Sequence, residues 1–102
     1  MSHYFLHGKL TAKKGHSDQL ASILLAASNL VSTAKGCKLY VIGRETTDSN
    51  AIWITEIWDS KADHDNSLNV EGVKELIALA MPILEGQPQK GQELEILGGA
   101  GI

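Results

Sequence analysis

Residues 51–58 read AIWITEIW, and this stretch decides the fold. Branched and aromatic residues at this density mark a strand. Upstream lies KLYVIGRE (38–45), a second strand, and the two are joined by the polar link TTDSN (46–50). Five residues is a hairpin length, so the two strands read as antiparallel neighbours. Placing Glu45 opposite Ala51 sets Tyr40 across from Glu56 on one side. The other side then carries Leu39, Val41, Gly43, Trp53, Thr55 and Ile57, with Gly43 leaving room for the Trp53 indole.

Outward from the hairpin, the period changes. Leu20, Ile23, Leu24, Ala27, Leu30 and Val31 recur as one stripe of an amphipathic helix, with Ser17 as N-cap and Gly36 as the stop beyond its end. Segment 3–13 before it, HYFLHGKLTAK, is a strand. After the hairpin, Ser60-Lys61-Ala62-Asp63 is a capping-box pattern that opens a short helical turn. Val73, Leu76, Ile77, Ala80, Ile83 and Leu84 form a second stripe, capped by Asn69. Pro82 has no N–H for the Ala78 carbonyl, so this helix kinks or ends near Ala80. ELEIL (93–97) alternates as a last strand, and the GGAGI tail is expected to be flexible or to lie on a neighbour.

The order β-α-β-β-α-β is the ferredoxin-like, α+β arrangement: a four-stranded antiparallel sheet with both long helices on one face. The other face would ordinarily be polar. Here AIWITEIW puts apolar residues on both sides, and exposing them would forfeit about 1.5–3 kcal/mol per large side chain. No chain is left over to cover them, so the reading is a homodimer, sheet against sheet.

Composition agrees. The chain of 102 residues has 43% apolar and 21% charged residues, which reads as one globular domain over 1–102. A chain of this size buries only about 60–65% of its unfolded surface, so a second subunit would help. No apolar run approaches the roughly 18–20 residues of a membrane span, and the N-terminus lacks the pattern of a signal peptide. A net charge of −3 with scattered lysines argues against nucleic acid or anionic lipid as partner. The lone Cys37 fits a reducing cytoplasm and excludes a disulfide framework. No nucleotide or metal motif occurs, so no cofactor and no metal are expected.

Four strings in order, GKLTAKKGHSDQL (8–20), AKGCKLYVIGRE (34–45), ITEIWDSKADHDNSL (54–68) and VKELIALAMPIL (73–84), together resemble the antibiotic biosynthesis monooxygenase family of dimeric α/β-barrel proteins. The resemblance implies a homodimer with a pocket between sheet and helices in each subunit. For some members it also implies oxygenation of quinol-like or polyketide aromatic substrates without metal or flavin.

His64 lies in the short helix after the tryptophan-bearing strand, where the family often carries a histidine. An imidazole can take a phenolic proton at neutral pH, which a carboxylate does poorly. The alternative is a surface histidine between Asp63 and Asp65. Glu56 is an acid in an apolar strand; burial would raise it toward the range of a general base, and the alternative is an ion pair or a hydrogen bond across the dimer. His7 could point into the pocket and assist His64, or be satisfied on its strand. Trp58, Trp53 and Tyr40 could wall a planar substrate, or pack as core and interface. Arg44, the one arginine, could bind an anionic group or be solvated at the hairpin end. Cys37 reads as a small buried hydrophobe.

Together with these residues, the resemblance implies a monooxygenase that oxidises a small aromatic hydroquinone or polyketide-like phenol with molecular oxygen and no cofactor. Two other functions compete. A haem-degrading relative would use His64 as axial ligand, but the first strand has no asparagine to orient the haem. A non-catalytic dimer would bind a small aromatic or apolar ligand, and is favoured if no polar group joins His64 in the pocket.

Overall fold

The computed structural model describes residues 3–88 and 90–102. Strand β1 spans Tyr4–Thr11, β2 Cys37–Arg44, β3 Ala51–Trp58 and β4 Gln92–Glu95; helix α1 spans Ser17–Val31, α2 Lys61–Asn66 and α3 Val73–Ala80. The strands form one antiparallel sheet in the order β2-β3-β1-β4. This is the ferredoxin-like order, and among the described residues no helix is long and apolar enough to cross a membrane.

The hairpin register is the one expected. Tyr40 pairs with Glu56 and Val41 with Thr55, and the Glu45 amide donates to the Ala51 carbonyl at 3.0 Å. Within the link, Asp48 accepts from the Asn50 amide at 3.1 Å, which turns the chain back. A bulge between Cys37 and Leu39 shifts the far end of β2.

Alternation along β3 sends Ile52, Ile54, Glu56 and Trp58 toward the helices, opposite Leu10, Gly8, Leu6 and Tyr4 of β1. Leu20, Ile23 and Leu24 of α1 pack there with Ile52, Ala80, Ile83 and Leu84. A second cluster gathers Val31, Val73 and Trp58, the last wholly buried. The same alternation sends Phe5, His7, Lys9, Trp53, Thr55 and Ile57 to the outer face.

Several local expectations are corrected. Ser17 does not cap α1: it is the first helical residue, and its hydroxyl donates to the Ser49 carbonyl instead. Gly36 is not the helix stop either, since α1 ends at Val31 with Ser32 as C-cap. Asn69 does not cap α3. It ends a 3-10 turn over Ser67–Asn69, and the cap position belongs to Gly72 at φ 94°, a left-handed conformation suited to glycine. Room beside Gly43 is not taken by the Trp53 indole, because a Cβ at Gly43 would meet nothing within 4 Å. The Ser60 cap does form: its hydroxyl accepts from the Asp63 amide at 3.1 Å. Pro82 ends α3 at Ala80, and a 3-10 turn over Met81–Ile83 follows.

Candidate functional site

His64 is placed by two local devices. The Ser60 cap starts α2 directly after β3, so the helix turns back over the end of the strand it follows. Gly36 then allows close approach: its φ is 83°, and a Cβ there would overlap the Asp63 carboxylate. The turn into β2 and helix α2 can therefore touch, and the Asp59 amide donates to the Gly36 carbonyl at 2.8 Å.

So held, the imidazole sits between two carboxylates. Its Nδ1 lies 3.0 Å from Asp65 Oδ1, and its Nε2 lies 3.6 Å from Glu56 Oε1. Asp65 Oδ2 in turn accepts from Lys61 Nζ at 3.0 Å. The tautomer that donates Nδ1–H to Asp65 leaves the Nε2 lone pair directed at Glu56. The Tyr4 ring lies 5.0 Å from the imidazole and the Trp58 indole meets it edge-on at 5.9 Å.

Glu56 is the unusual member, a carboxyl side chain 7% exposed in a sheet. Trp58 Nε1 donates to its Oε1 at 3.0 Å. Burial pushes the Glu56 carboxyl above its ordinary value, against the opposing pull of the Trp58 hydrogen bond and of His64. Burial, and then the Glu56 charge, pushes the Tyr40 hydroxyl up as well. Tyr4 is pushed up to about 12, first by burial and then by Glu93. Asp65 is drawn below the usual carboxylate range by hydrogen bonds from His64 and then Lys61.

These groups border a cavity of about 250 Å³ between the sheet and helices α1 and α3. Tyr40, Glu56, His64 and Ser67 line it together, whereas apolar residues such as Leu10, Leu24, Ile54 and Leu76 supply most of the wall. Ser67 escaped the sequence reading. Its spacing of three from His64 is the signal that could have found it, since such residues share a helical face; its hydroxyl donates to the His64 carbonyl.

Other candidates lie elsewhere. Trp58 does not line the cavity: packed against Val31 and Val73, it touches the site from behind, through its hydrogen bond to Glu56 and its edge-on contact with His64. His7 does not point into the cavity, because strand alternation gives that side to Leu6 and Gly8. Its Nδ1 meets Thr55 Oγ1 at 3.0 Å on the outer face, and its ring stacks on Trp53 at 4.6 Å. Trp53 is accordingly no cavity wall, and its Nε1 donates to Glu45 at 2.8 Å. Arg44 pairs with Asp18 at 3.0 Å on the exposed end of the hairpin, away from the cavity. Cys37 is half-buried, and burial pushes its thiol up, the setting of an unreactive side chain.

Among the described residues no group of three or more His, Cys, Asp or Glu side chains could hold a metal ion. An axial role toward haem would fit poorly, because the cavity of about 250 Å³ beside His64 has room for little more than a single substituted ring.

Comparison with known proteins agrees with the fold. The family model described as antibiotic biosynthesis monooxygenase matches residues 3–79. A solved structure from Chloroflexus aurantiacus J-10-fl, described as a candidate antibiotic biosynthesis monooxygenase, is 38% identical, covers 99% of both chains and superposes with a TM-score of 0.87. Candidates of the same description from Nitrosomonas europaea and Caulobacter crescentus CB15 superpose at TM-scores of 0.88 and 0.85. They are 12% and 16% identical, and cover 97% and 95% of this chain and 94% and 92% of their own. At that identity the likeness is one of fold. No curated protein matches.

Proposed function

The chain belongs to the antibiotic biosynthesis monooxygenase family, and on that premise we propose that it oxygenates a small aromatic hydroquinone or polyketide-like phenol without a cofactor. The observation that carries this reading is the facing of His64 Nε2 and buried Glu56 across 3.6 Å at the edge of a largely apolar cavity. That separation is too long for a direct hydrogen bond. A substrate hydroxyl entering beside it would meet a base and a carboxyl group at once.

In this scheme His64 is the general base and takes the phenolic proton on Nε2. Asp65 positions it by holding Nδ1–H, and the imidazolium formed is flanked by Glu56, much as a buried acid steadies a catalytic histidine. The phenolate then passes one electron to dioxygen, and the resulting pair joins to form a ring C–O bond. Cleavage of the O–O bond, with the proton from His64 and the ring C–H proton going to the departing oxygen, yields water. The balance is phenol plus dioxygen to quinone plus water, so the ring supplies every electron. Tyr40 and the apolar wall shelter the anion from bulk water.

The proposal includes a homodimer through the outer sheet face. Phe5, Leu39, Val41, Trp53 and Leu94 share that face, with Val41 51% and Leu94 43% exposed, an apolar area that a second copy would cover. The GGAGI tail lies beside Leu39 and Ile57 there, bordering a groove of about 640 Å³.

Turnover under isotopically labelled dioxygen tests the chemistry. One labelled atom should enter the quinone and the other the water, with no flavin, haem or metal added. Absence of labelled product across a panel of phenols and hydroquinones would overturn the reading.

A further inference from the structure

The cavity beside His64 is polar at one end only. Tyr40 and Glu56 are direct partners on β2 and β3, Glu56 faces His64, and Ser67 bonds to the His64 carbonyl. Along β3 toward the hairpin, the next side chain on the same face is Ile54, and β1 brings Leu10 level with Ile52. Glu56 to Ile52 is four residues, about 13 Å along the strand. Over that length the wall passes through Ile54, Leu10, Leu24, Ala27, Leu76 and Ala80, none of which can pair with a polar group.

This asymmetry selects among phenols. A ring whose hydroxyl reaches His64 and Glu56 points its opposite edge at the aliphatic side chains. A second hydroxyl on that edge would be buried without a partner, a loss of about tenfold or more in binding. An alkyl group there is instead favoured by about fourfold for each buried methylene.

Size sets the length of that group. A cavity of about 150 Å³ holds a benzene ring. By the same proportion the 250 Å³ available here takes roughly ten non-hydrogen atoms, a phenol with about three carbons attached.

We propose that the ligand of this cavity is an amphiphilic monophenol: a single hydroxyl directed at His64 and Glu56, and an aliphatic substituent of about three to four carbons on the far side of the ring. This rests on the reading of the cavity as the substrate site; it keeps the phenol of that reading and departs from it in disfavouring simple hydroquinones and multi-ring polyketides.

Calorimetric titration under nitrogen measures binding apart from oxygenation. The ligands are 4-alkylphenols from methyl to hexyl, hydroquinone, and propylbenzene. Affinity should rise about fourfold per methylene up to three or four carbons and then level. Hydroquinone should bind at least tenfold more weakly than 4-methylphenol, and propylbenzene more weakly than 4-propylphenol. In Leu76→Ala, which opens the apolar end, the levelling point should move to longer chains. Affinity independent of chain length, hydroquinone as tight as 4-methylphenol, no phenol binding, or an unmoved levelling point would each overturn the proposal. The wild-type series decides alone if Leu76→Ala fails to fold. Phenol binding as described with no labelled product under oxygen would sink the oxygenase reading and leave this one standing. Turnover of hydroquinones with no preference for alkylphenols would do the reverse.

Discussion

Trp58→Phe removes the indole N–H that holds Glu56, and its cost can be worked from the structure. Trp58 is wholly buried between Val31 and Val73, so the smaller ring leaves a void of roughly 40 Å³, worth about 1 kcal/mol at ~24 cal/mol per Å³. The lost bond, 3.0 Å to a buried carboxyl, contributes about 1.5–3 kcal/mol. The variant should therefore be destabilised by about 3 kcal/mol, within the margin of about 5–15 kcal/mol of a typical domain. Its Tm should fall by about 12–24 °C, at ~4–8 °C per kcal/mol for a domain of this size. Urea unfolding at several pH values is the assay. Burial raises the Glu56 carboxyl in the folded chain, so its stabilising contribution is complete below its unfolded pKa and is lost as pH rises through the folded one. Removing a donor that favours the carboxylate raises it further, so the deficit of Trp58→Phe should be smaller in acid and widen as pH rises through the folded pKa of Glu56. A double-mutant cycle with Glu56→Gln isolates the pair. A loss under about 1 kcal/mol that does not vary with pH would refute the idea that the indole serves as the strut of the carboxyl.

Three further outcomes follow from the same geometry. Asp65→Asn should weaken the preference for the Nδ1–H tautomer of His64, which nitrogen-15 chemical shifts of the ring read directly; an unchanged tautomer would remove Asp65 from the account. Ser60→Ala should cost about 1 kcal/mol through loss of the α2 cap, seen in urea unfolding. Val41→Asp on the outer sheet face should shift sedimentation from dimer to monomer while leaving the cavity intact, and a wild-type monomer would end the dimer proposal.

The parts of this molecule that repeat locally were open to sequence reading. Alternation through AIWITEIW and the polar TTDSN link set the hairpin register that pairs Tyr40 with Glu56, and the Ser60 capping box announced α2. The site was only half legible. His64 and Glu56 could be singled out by residue type, but their approach depends on Gly36 letting α2 close over the strand end. Nothing in the local pattern around His64 reports that contact. For His7 both faces of the strand stay open in the sequence, and parity decides between them: Leu6 and Leu10 claim the helix-covered face, so position 7, one residue out of step with them, points outward. For Trp58 a cavity wall and core packing both fit the sequence, and it is Val31 and Val73, far apart in the chain, that converge to bury it as core. Asn69 looked like a cap until the 3-10 turn carried the chain on to Gly72, whose left-handed backbone starts α3.

The central claim is that His64 in this cavity is the base that starts oxygenation. Dioxygen consumption by wild type and His64→Ala with the best-binding phenol tests it most directly, circular dichroism confirming that both are folded. The account predicts one dioxygen consumed per quinone formed, and a rate at least about 100-fold lower in the variant, the smallest loss expected for a general base. Equal rates in the two proteins would contradict it.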